Sequence, residues 1–392
     1  MTDPAPLRLA VGGLQAELVL HEGHAALAAE LRELWAPQLL DPADAGGAAT
    51  DDLLRLELLA PEETGSAGAS RIRPGPGAAY EVSGLITRRV IENLIGRRIL
   101  LHAGAVDHPR HGTLLLVGPS GAGKSTATSV LARGAGYLSD ELGILDPETF
   151  AVTGYPKPVS RVEPGTPGLG KRDLSLASLG LSAQASAAAP AQVLLLRRVK
   201  DAGAGAPGAA SSAVEPAEPA EDAAVRAPLH EALVALAEQS SSLWRVEGGG
   251  LQRIAELLTR CGGALALRYR EAESITTLLD QAPPGEEEPW MPIIAAAGQG
   301  SPRPGEVRVV PFADAVATAD GTVVLTAGQV VHMPGLLGLV WQLLCEAGGL
   351  EAGELEAEVA EQIGPHPRSR ELVEDAIEQL VSAGWVSRGP TA

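Results

Sequence analysis

Residues Gly118 to Thr126 have the types and the spacing of a loop that binds phosphate. They read GPSGAGKST, which is Gly, four residues, Gly, Lys and Ser, and in such loops backbone N–H groups surround the phosphates of a nucleotide. The Lys124 ammonium would neutralise the outer phosphates, and the Ser125 hydroxyl would bind Mg²⁺. We expect the following residues to contact the nucleotide: Gly118, Ser120, Gly121, Ala122, Gly123, Lys124, Ser125 and Thr126. The motif therefore predicts a nucleotide and Mg²⁺ as ligands, and we take ATP as the nucleotide.

Two adjacent acids, Asp140 and Glu141, lie in the segment YLSDELGIL, which has the pattern of the next strand. One of them could bind Mg²⁺ while the other accepts a proton from an attacking hydroxyl. A solvated turn is the alternative for an acid pair at a strand end. Asp146 is a rival metal-binding acid because it also follows an apolar run, but it opens the turn DPET and ranks below the acid pair.

A histidine, His102, lies in the apolar segment ILLHAGAV, which is predicted to be the strand before the loop strand TLLLVG. If these two strands are neighbours, the imidazole could hydrogen-bond a carboxylate and tune its pKa. The alternative, a core histidine bonded to a carbonyl group, stays open from the sequence alone.

Composition excludes some partners. The chain has 49 acidic and 30 basic residues and a net charge of -19, which repels nucleic acid because phosphate contacts dominate that affinity. No apolar run of the length that spans a membrane occurs, and the N-terminus has no export-signal pattern.

The cysteines, Cys261 and Cys345, have no metal-ligand spacing and are predicted to be buried and reduced. We therefore expect a cytoplasmic protein with no nucleic-acid or membrane partner.

Patterning along the 392 residues predicts several domains. An N-terminal α+β lead-in covers 1–79, and an α/β phosphate-loop domain covers 80–281, with a helix that begins at a capping Ser83. Residues 200–224, rich in Ala, Gly, Pro and Glu, are predicted to be a disordered insertion. Residues 282–306 are predicted to be a linker. The last part, 307–392, has short strands and three amphipathic helices, which is typical of a winged helix.

The segments LLHAGAV, LLLVGPSGAGKST, YLSDEL and GYPKPVS together resemble the HPr serine kinase/phosphorylase family and its PEP-carboxykinase-like relatives. The resemblance covers roughly residues 80 to 280 and implies a kinase core that transfers phosphate to a serine hydroxyl. It implies that Asp140 is the acid/base, hydrogen-bonded to His102, with Lys124 at the phosphates. It also implies a metal site at Ser125, Glu141 and Asp140. The chain departs from the bacterial HPr kinases in having Asp then Glu where they carry two Asp.

Two cations of YPKPVSR, Lys157 and Arg161, could contact the phosphates or the acceptor. The sequence by itself favours an ordinary surface position for both.

The segments VVLTAGQVVHMPGLLGLVWQLL and VEDAIEQLVSAGWV resemble the PqqD family of small domains, which bind the leader peptides of ribosomally made, modified peptides. The resemblance implies that an extended peptide adds to a strand edge and lies against the helix from Leu372 to Val381. The acidic side chains of this helix argue against DNA as the ligand: Glu371, Glu374, Asp375 and Glu378.

The two resemblances together imply an ATP-dependent Ser/Thr kinase that modifies a hydroxyl of a precursor peptide or small protein held by the C-terminal domain. Tethering of that kind raises the local acceptor concentration to about millimolar. Two alternatives stay open: a small-molecule kinase of the same fold, and a nucleotide-gated peptide-binding protein that transfers no phosphate. Because HPr kinases are hexamers, a homo-oligomer also stays open.

Overall fold

The computed structural model describes residues 5–41, 53–61, 68–162, 170–199, 221–296 and 302–390. These residues form a mixed α/β structure with several separate sheets. The helices are α1 (Ala25–Leu34), α2 (Ala78–Leu94), α3 (Lys124–Leu131), α4 (Leu229–Glu238), α5 (Gly250–Arg260), α6 (Ile275–Asp280), α7 (Gly335–Ala347), α8 (Ala352–Ile363) and α9 (Ser369–Ser382). Within the described ranges, no helix has both the length and the apolar character needed to cross a bilayer.

The strands are β1 (Leu7–Val11), β2 (Leu14–Leu20), β3 (Leu53–Leu59), β4 (Ser70–Arg71), β5 (Ile99–Leu101), β6 (Ala103–His108), β7 (Gly112–Val117), β8 (Gly136–Ser139), β9 (Gly143–Leu145), β10 (Val152–Thr153), β11 (Val159–Val162), β12 (Lys171–Leu174), β13 (Ser182–Ala183), β14 (Ser186–Ala187), β15 (Gln192–Arg198), β16 (Ala223–Ala227), β17 (Ala264–Tyr269), β18 (Trp290–Pro292), β19 (Glu306–Val309), β20 (Asp314–Thr318), β21 (Gly321–Leu325), β22 (Val330–Pro334), β23 (Leu350–Glu351) and β24 (Val386–Arg388). The predicted α/β class is confirmed by these elements. The winged-helix assignment of 307–392 stays a prediction.

The chain divides into two compact units whose bounds differ from the predicted domains. Unit 1 is Met1–Val225 with Ala266–Ala282, and unit 2 is Arg226–Leu265 with Pro283–Ala392. Helices α4 and α5, predicted to belong to the phosphate-loop domain, are therefore grouped with the C-terminal part. The reason is packing, because α5 contacts β20, and α4 contacts β21 and β22. The sequence pattern of a strand does not show which helix covers it.

The N-terminal part of unit 1 is a four-stranded sheet in the order β1-β2-β3-β4. Its apolar face shares one core with α2, from which Val82, Ile86 and Val90 contribute fully buried side chains. The predicted lead-in, 1–79, thus does not have a core of its own. Helix α2 begins at Ala78 after Gly77, and Ser83 is buried inside it rather than capping it. The reason is that the apolar stripe continues back through Val82 to Ala78.

Unit 1 also contains two sheets that determine where the site forms. One has the order β14-β10-β9-β5, and the other has the order β13-β8-β6-β7-β15-β17-β16. Each of the predicted strands ILLHAGAV and YLSDELGIL is broken into two, with one half in each sheet. The breaks fall at His102 and at residues 140–142. Since the sequence gives only an apolar run, it could not show that these runs change sheets.

Unit 2 contains two antiparallel sheets, β18-β20-β21-β22 and β23-β19-β24. Helices α7, α8 and α9 pack with them around one core that includes Trp341, Leu344 and Ile377, each without exposed surface. The ring of Phe312 contacts Trp341 edge-on, with centroids 4.9 Å apart. Burial of such large side chains supplies the main stabilisation of a small unit.

Parts of the predicted disordered insertion, 200–224, and of the predicted linker, 282–306, form strands. Residues 200–220 lie outside the described residues, but β16 begins at Ala223, and the Asp222 carboxylate accepts a hydrogen bond from the Ser274 hydroxyl at 2.7 Å. In the predicted linker, 297–301 lie outside the described residues. Residues Trp290–Pro292, however, form β18 and pair with β20. Backbone pairing explains both corrections, because it needs no apolar pattern in the side chains.

Candidate functional site

The predicted phosphate loop follows β7 and leads into α3. Gly118 is buried directly after the strand, and Gly123, the residue before the helix, has φ 88°. A side chain at Gly123 would place its Cβ 2.8 Å from the Tyr269 hydroxyl oxygen, so this position requires glycine both for its backbone angle and for its space. The strand, glycine turn and helix start confirm the local structure that the motif predicts. The N-terminus of α3 points its free N–H groups at the loop.

The Lys124 side chain is held within this loop. Its Nζ donates to the Gly118 carbonyl at 2.5 Å and to the Pro119 carbonyl at 3.2 Å, and only 6% of the residue is exposed. Burial lowers the pKa of this ammonium because water no longer solvates the charge. A desolvated ammonium beside backbone N–H groups can exchange its carbonyl partners for phosphate oxygens.

Strand pairing brings His102 and Asp140 to the same place. Before the break at His102, Leu101 of β5 pairs with Gly143 of β9. After that break, Ala105 of β6 pairs with Ser139 of β8 in the other sheet. The residues between those pairs are 102–104 on one strand and 140–142 on the other, so they face each other where both strands change sheets.

The same sheet edge carries the phosphate loop. Strand β6 is antiparallel to both β7 and β8, and Ala103 pairs with Val117. His102 and Gly118 are therefore the next residues beyond that pair. Because β7 and β8 run in the same direction, the loop after Val117 and the acids after Ser139 emerge at one edge.

Electrostatics agree with this convergence. Although His102 as a whole residue is exposed, the loss of solvent around its ring is the largest cause that lowers the pKa of its imidazole, and the positive charge of Lys124 lowers it further. The Glu141 and Asp140 carboxylates act in the opposite direction. All three side chains are thus close enough to influence the His102 imidazole. The alternative of a core histidine is wrong, because the chain leaves the sheet at His102, between β5 and β6.

Asp140 is 4% exposed, and its Oδ1 accepts a hydrogen bond from the Tyr137 hydroxyl at 2.8 Å. Burial and the Asp140 charge raise the pKa of Tyr137 well above its ordinary value, so that this phenol stays a donor. The predicted hydrogen bond from His102 to Asp140 is not among the contacts of the described residues. Tyr137 occupies that role because it lies three residues earlier on the same strand end.

Glu141 is paired with Lys157, whose Nζ lies 2.8 Å from Glu141 Oε2. Lys157 is 3% exposed, so its predicted surface position is wrong. Burial alone would lower the pKa of this ammonium, but the Asp140, Glu141 and Asp173 carboxylates outweigh burial and raise it. The second cation of that segment, Arg161, is exposed as predicted. The only signal for Lys157 in the sequence is its position between two prolines.

Asp146, the rival metal-binding acid, stabilises a turn. Its Oδ1 accepts hydrogen bonds from the backbone N–H of Glu148 at 3.1 Å and of Thr149 at 3.0 Å. These bonds and the Arg98 guanidinium hold the pKa of Asp146 below its usual value. A carboxylate used in this way is a turn residue of DPET, as its position in the sequence suggested.

Two further side chains support the loop from β15 and β17. The Tyr269 hydroxyl donates to the Ala122 carbonyl at 2.8 Å. The Arg198 side chain lies beside Gly123, since a Cβ at that glycine would be 3.4 Å from Arg198 Cδ. Both residues lie far from the loop in sequence and belong to no motif, so sequence analysis missed them.

The residues present fit a nucleotide and a divalent cation. Mg²⁺ in phosphoryl-transfer sites takes one or two carboxylates together with phosphate oxygens and water, and Ser125, Asp140 and Glu141 can supply such oxygens. No cluster of three or more His, Cys, Asp or Glu side chains suited to a metal occurs in the part of the chain that the structure describes. A cation here would consequently depend on the phosphates for most of its ligands.

A cavity of about 1060 Å³ lies elsewhere in unit 1, against the start of α2 and the start of β12. Its lining includes Lys171, whose charge also lowers the pKa of His102, but it includes no residue of the phosphate loop and neither acid of the pair. The predicted site residues at the loop and the acid pair therefore lie outside this cavity.

No protein-family model matches the chain. No curated protein matches it. Among solved structures, the chain is similar to the HPr(Ser) kinase/phosphatase from Coxiella burnetii, with 13% identity and a TM-score of 0.26 over 46% of this chain and 94% of that chain. A likeness this weak carries no argument about fold or function. The assignment of a function therefore depends on the geometry of the sheet edge.

Proposed function

We propose that this protein is an ATP- and Mg²⁺-dependent kinase that phosphorylates a Ser or Thr hydroxyl of a peptide or small protein. The observation that supports it is the convergence of Lys124, His102 and Asp140 at the edge of one sheet, beside a loop with the geometry of a phosphate cradle. The buried Asp140 carboxylate at this edge would be placed to accept a proton from an attacking hydroxyl.

In the proposed reaction, Asp140 accepts the proton of the acceptor hydroxyl as its oxygen forms a bond to the γ-phosphorus. The bond from that phosphorus to the bridging oxygen breaks, and ADP leaves with the electron pair. Lys124 and the N–H groups of the loop stabilise the negative charge of the transferred group. Tyr137 orients the Asp140 carboxylate through its hydrogen bond, and His102 lies in the strand break that faces it. When bound, Mg²⁺ would neutralise phosphate charge, held by Ser125 and Glu141.

The acceptor would be captured by unit 2, through a segment distinct from the reacting hydroxyl. Strand β24 lies at one edge of the sheet β23-β19-β24 and packs against α9. An edge strand can bind an extended peptide through its backbone. Val381, near the end of α9, is 40% exposed and offers an apolar contact. These features support the leader-binding role that the C-terminal resemblance implies.

The central test incubates the full chain and Mg·ATP with peptides from the short reading frames adjacent to its gene, and with a Ser/Thr peptide library. Intact mass and γ-phosphate labelling measure transfer. We expect one added phosphoryl group, and we expect Asp140→Asn to reduce transfer by at least about 10²-fold while nucleotide affinity is kept. Transfer at the normal rate by Asp140→Asn would refute its role. Label that stays on the nucleotide with every peptide would favour a nucleotide-gated binding protein.

The capture step has a matched pair of variants. Val381→Asp introduces a charge on α9, the helix that packs against β24, whereas Ile363→Asp introduces one on α8, where Ile363 is 65% exposed. We expect only Val381→Asp to raise the KM of a leader-bearing peptide, with kcat unchanged. An equal effect of both variants, or no effect of either, would contradict capture at β24. Efficient transfer to small alcohols, unaffected by Val381→Asp, would favour a small-molecule kinase.

A further inference from the structure

Lys157 is a buried cation that touches the acid pair but matches no motif. Its Nζ donates to the Pro158 carbonyl at 3.1 Å and to the Ser160 hydroxyl oxygen at 3.2 Å, besides the ion pair of 2.8 Å with Glu141 Oε2. An ammonium has three N–H donors. Each of them therefore has one partner, and of these three partners only the Glu141 carboxylate is charged.

The two members of this ion pair differ in their freedom to move. Lys157 lies between Pro156 and Pro158, which restrict the backbone, and its own N–H donates to the Tyr155 carbonyl at 2.8 Å. The Gln38 side-chain amide also donates to the Pro156 carbonyl. The Glu141 side chain, in contrast, is 46% exposed. If this ion pair opens, the side chain that moves is therefore Glu141.

A second carboxylate lies behind the ammonium. The Ser160 hydroxyl donates to Asp173 Oδ1 at 2.7 Å, and Asp173 is 4% exposed. The other oxygen, Asp173 Oδ2, is buried and has no hydrogen-bond partner among the described residues. Loss of Glu141 would thus not leave the Lys157 charge uncompensated, which would otherwise make such a movement very costly.

We propose that Lys157 is a positioning residue that holds the Glu141 carboxylate and competes for it with a divalent cation. This inference depends on the proposed function, which assigns Glu141 to the metal. Glu141 then has two positions, one on Lys157 and one on the cation that Ser125 also holds. In the first position the carboxylate is kept away from free cations, and it is released when the metal arrives with a nucleotide.

Competition of this kind is reciprocal, because two groups that exclude each other at one carboxylate weaken each other's binding by the same factor. The test measures Mn²⁺ binding to the nucleotide-free protein by electron paramagnetic resonance. We expect Lys157→Met to bind Mn²⁺ about tenfold more tightly than the unmodified protein. The matched control, Arg161→Met, removes an exposed cation of the same segment, YPKPVSR, and should stay within about twofold.

Two more variants locate the effect. Adding Glu141→Gln to Lys157→Met should cancel the gain in Mn²⁺ affinity, and Lys157→Arg, which keeps the charge, should return the affinity to that of the unmodified protein. Unchanged Mn²⁺ affinity in folded Lys157→Met, or an equal gain in Arg161→Met, would overturn the proposal.

A measurement on the unmodified chain covers the case in which Lys157→Met does not fold. The ¹⁵N and ¹H resonances of the Lys157 ammonium should shift when Mg²⁺ and ADP are added together, and should stay unchanged with ADP and a chelator. A resonance that does not respond to the metal would also overturn the proposal. Neither measurement uses phosphoryl transfer, so an absence of kinase activity would reject the proposed function and leave this competition to be judged separately.

Discussion

Buried charge is accommodated differently in the two compact units. In unit 2, Asp314 is 4% exposed, and its carboxylate accepts hydrogen bonds from the backbone N–H of Gln252 at 2.9 Å, from the Gln252 side-chain amide at 2.7 Å and from the backbone N–H of Ala315 at 2.9 Å. All of these partners are neutral amides. From β20, the Asp314 carboxylate accepts a hydrogen bond from a free N–H group in the first turn of α5. It thus acts as a helix cap that belongs to another element.

In unit 1, buried charges of both signs occur together around the acid pair and the loop: Lys124, Asp140, Lys157 and Asp173. They are not fully satisfied within the described part of the chain, since Asp173 Oδ2 has no hydrogen-bond partner there and the acceptors for Lys124 are loop carbonyls. Burying such a set of charges costs free energy, and their ion pairs contribute little to the stability of the fold. The contrast is between one buried carboxylate bonded to neutral amides in unit 2 and several buried charges of both signs in unit 1.

The largest expected effect comes from Lys124→Met. We expect phosphoryl transfer to fall by about 10²- to 10³-fold, because the variant removes the positive charge at the transferred group. Since burial disfavours the charged form of Lys124, the urea midpoint of the folded chain should stay unchanged or rise. Single-turnover kinetics and urea titration measure the two quantities. A large loss of stability would show that Lys124, like Asp314, stabilises the fold. The two units would then not differ in how they use a buried charge.

Asp314→Ala should give the opposite result. It leaves the Gln252 N–H without a partner, and we expect a loss of roughly 2 kcal/mol in the free energy of unfolding. Urea titration followed by tryptophan fluorescence suits this variant, because Trp35 lies in unit 1 and the other tryptophans lie in unit 2: Trp244, Trp290, Trp341 and Trp385. The nucleotide affinity of the folded variant should be unchanged. A Kd for ATP that rises with no change in stability would show that Asp314 has been misassigned.

Tyr269→Phe sharpens the comparison inside unit 1. It removes the hydrogen bond to the Ala122 carbonyl and leaves the ring in place, so we expect a cost of about 1 kcal/mol to the ordered loop. That cost corresponds to a Kd for ATP about fivefold higher, measurable by calorimetry. A Kd equal to that of the unmodified protein would show that the loop keeps its shape without this contact.

The smallest effect is on the titration of His102. Its imidazole should titrate below its ordinary pKa of 6.5, because burial and the Lys124 charge both favour the neutral ring. The unfolded chain therefore takes up the proton more readily than the folded chain. The folded state loses stability as the pH falls from 6.5 through the lower pKa of His102 in the folded chain. Lys124→Met should raise the pKa of His102 by under about one pH unit in an NMR titration. A pKa that does not move would place Lys124 too far away to act with His102.

The amino-acid sequence determined the local parts of this site. A glycine spacing that only one turn satisfies, an apolar run before it and a helical pattern after it were enough to predict the loop from Gly118 to Thr126 and the α/β class. Asp140 and Glu141 were likewise placed correctly at the end of a strand. These features depend on backbone angles and on neighbours in the sequence, which a pattern records.

Only the tertiary structure decided which distant side chains meet at that loop. His102 and Asp140 come to the same sheet edge because two apolar runs change sheets at the same level. The contact of Lys157 with Glu141 requires a buried lysine between two prolines. Strand order also decides that Tyr137, and not His102, bonds Asp140. It likewise places Tyr269 against the loop. Strand pairing and burial join residues far apart in the chain, and neither leaves a signal in the spacing of residue types.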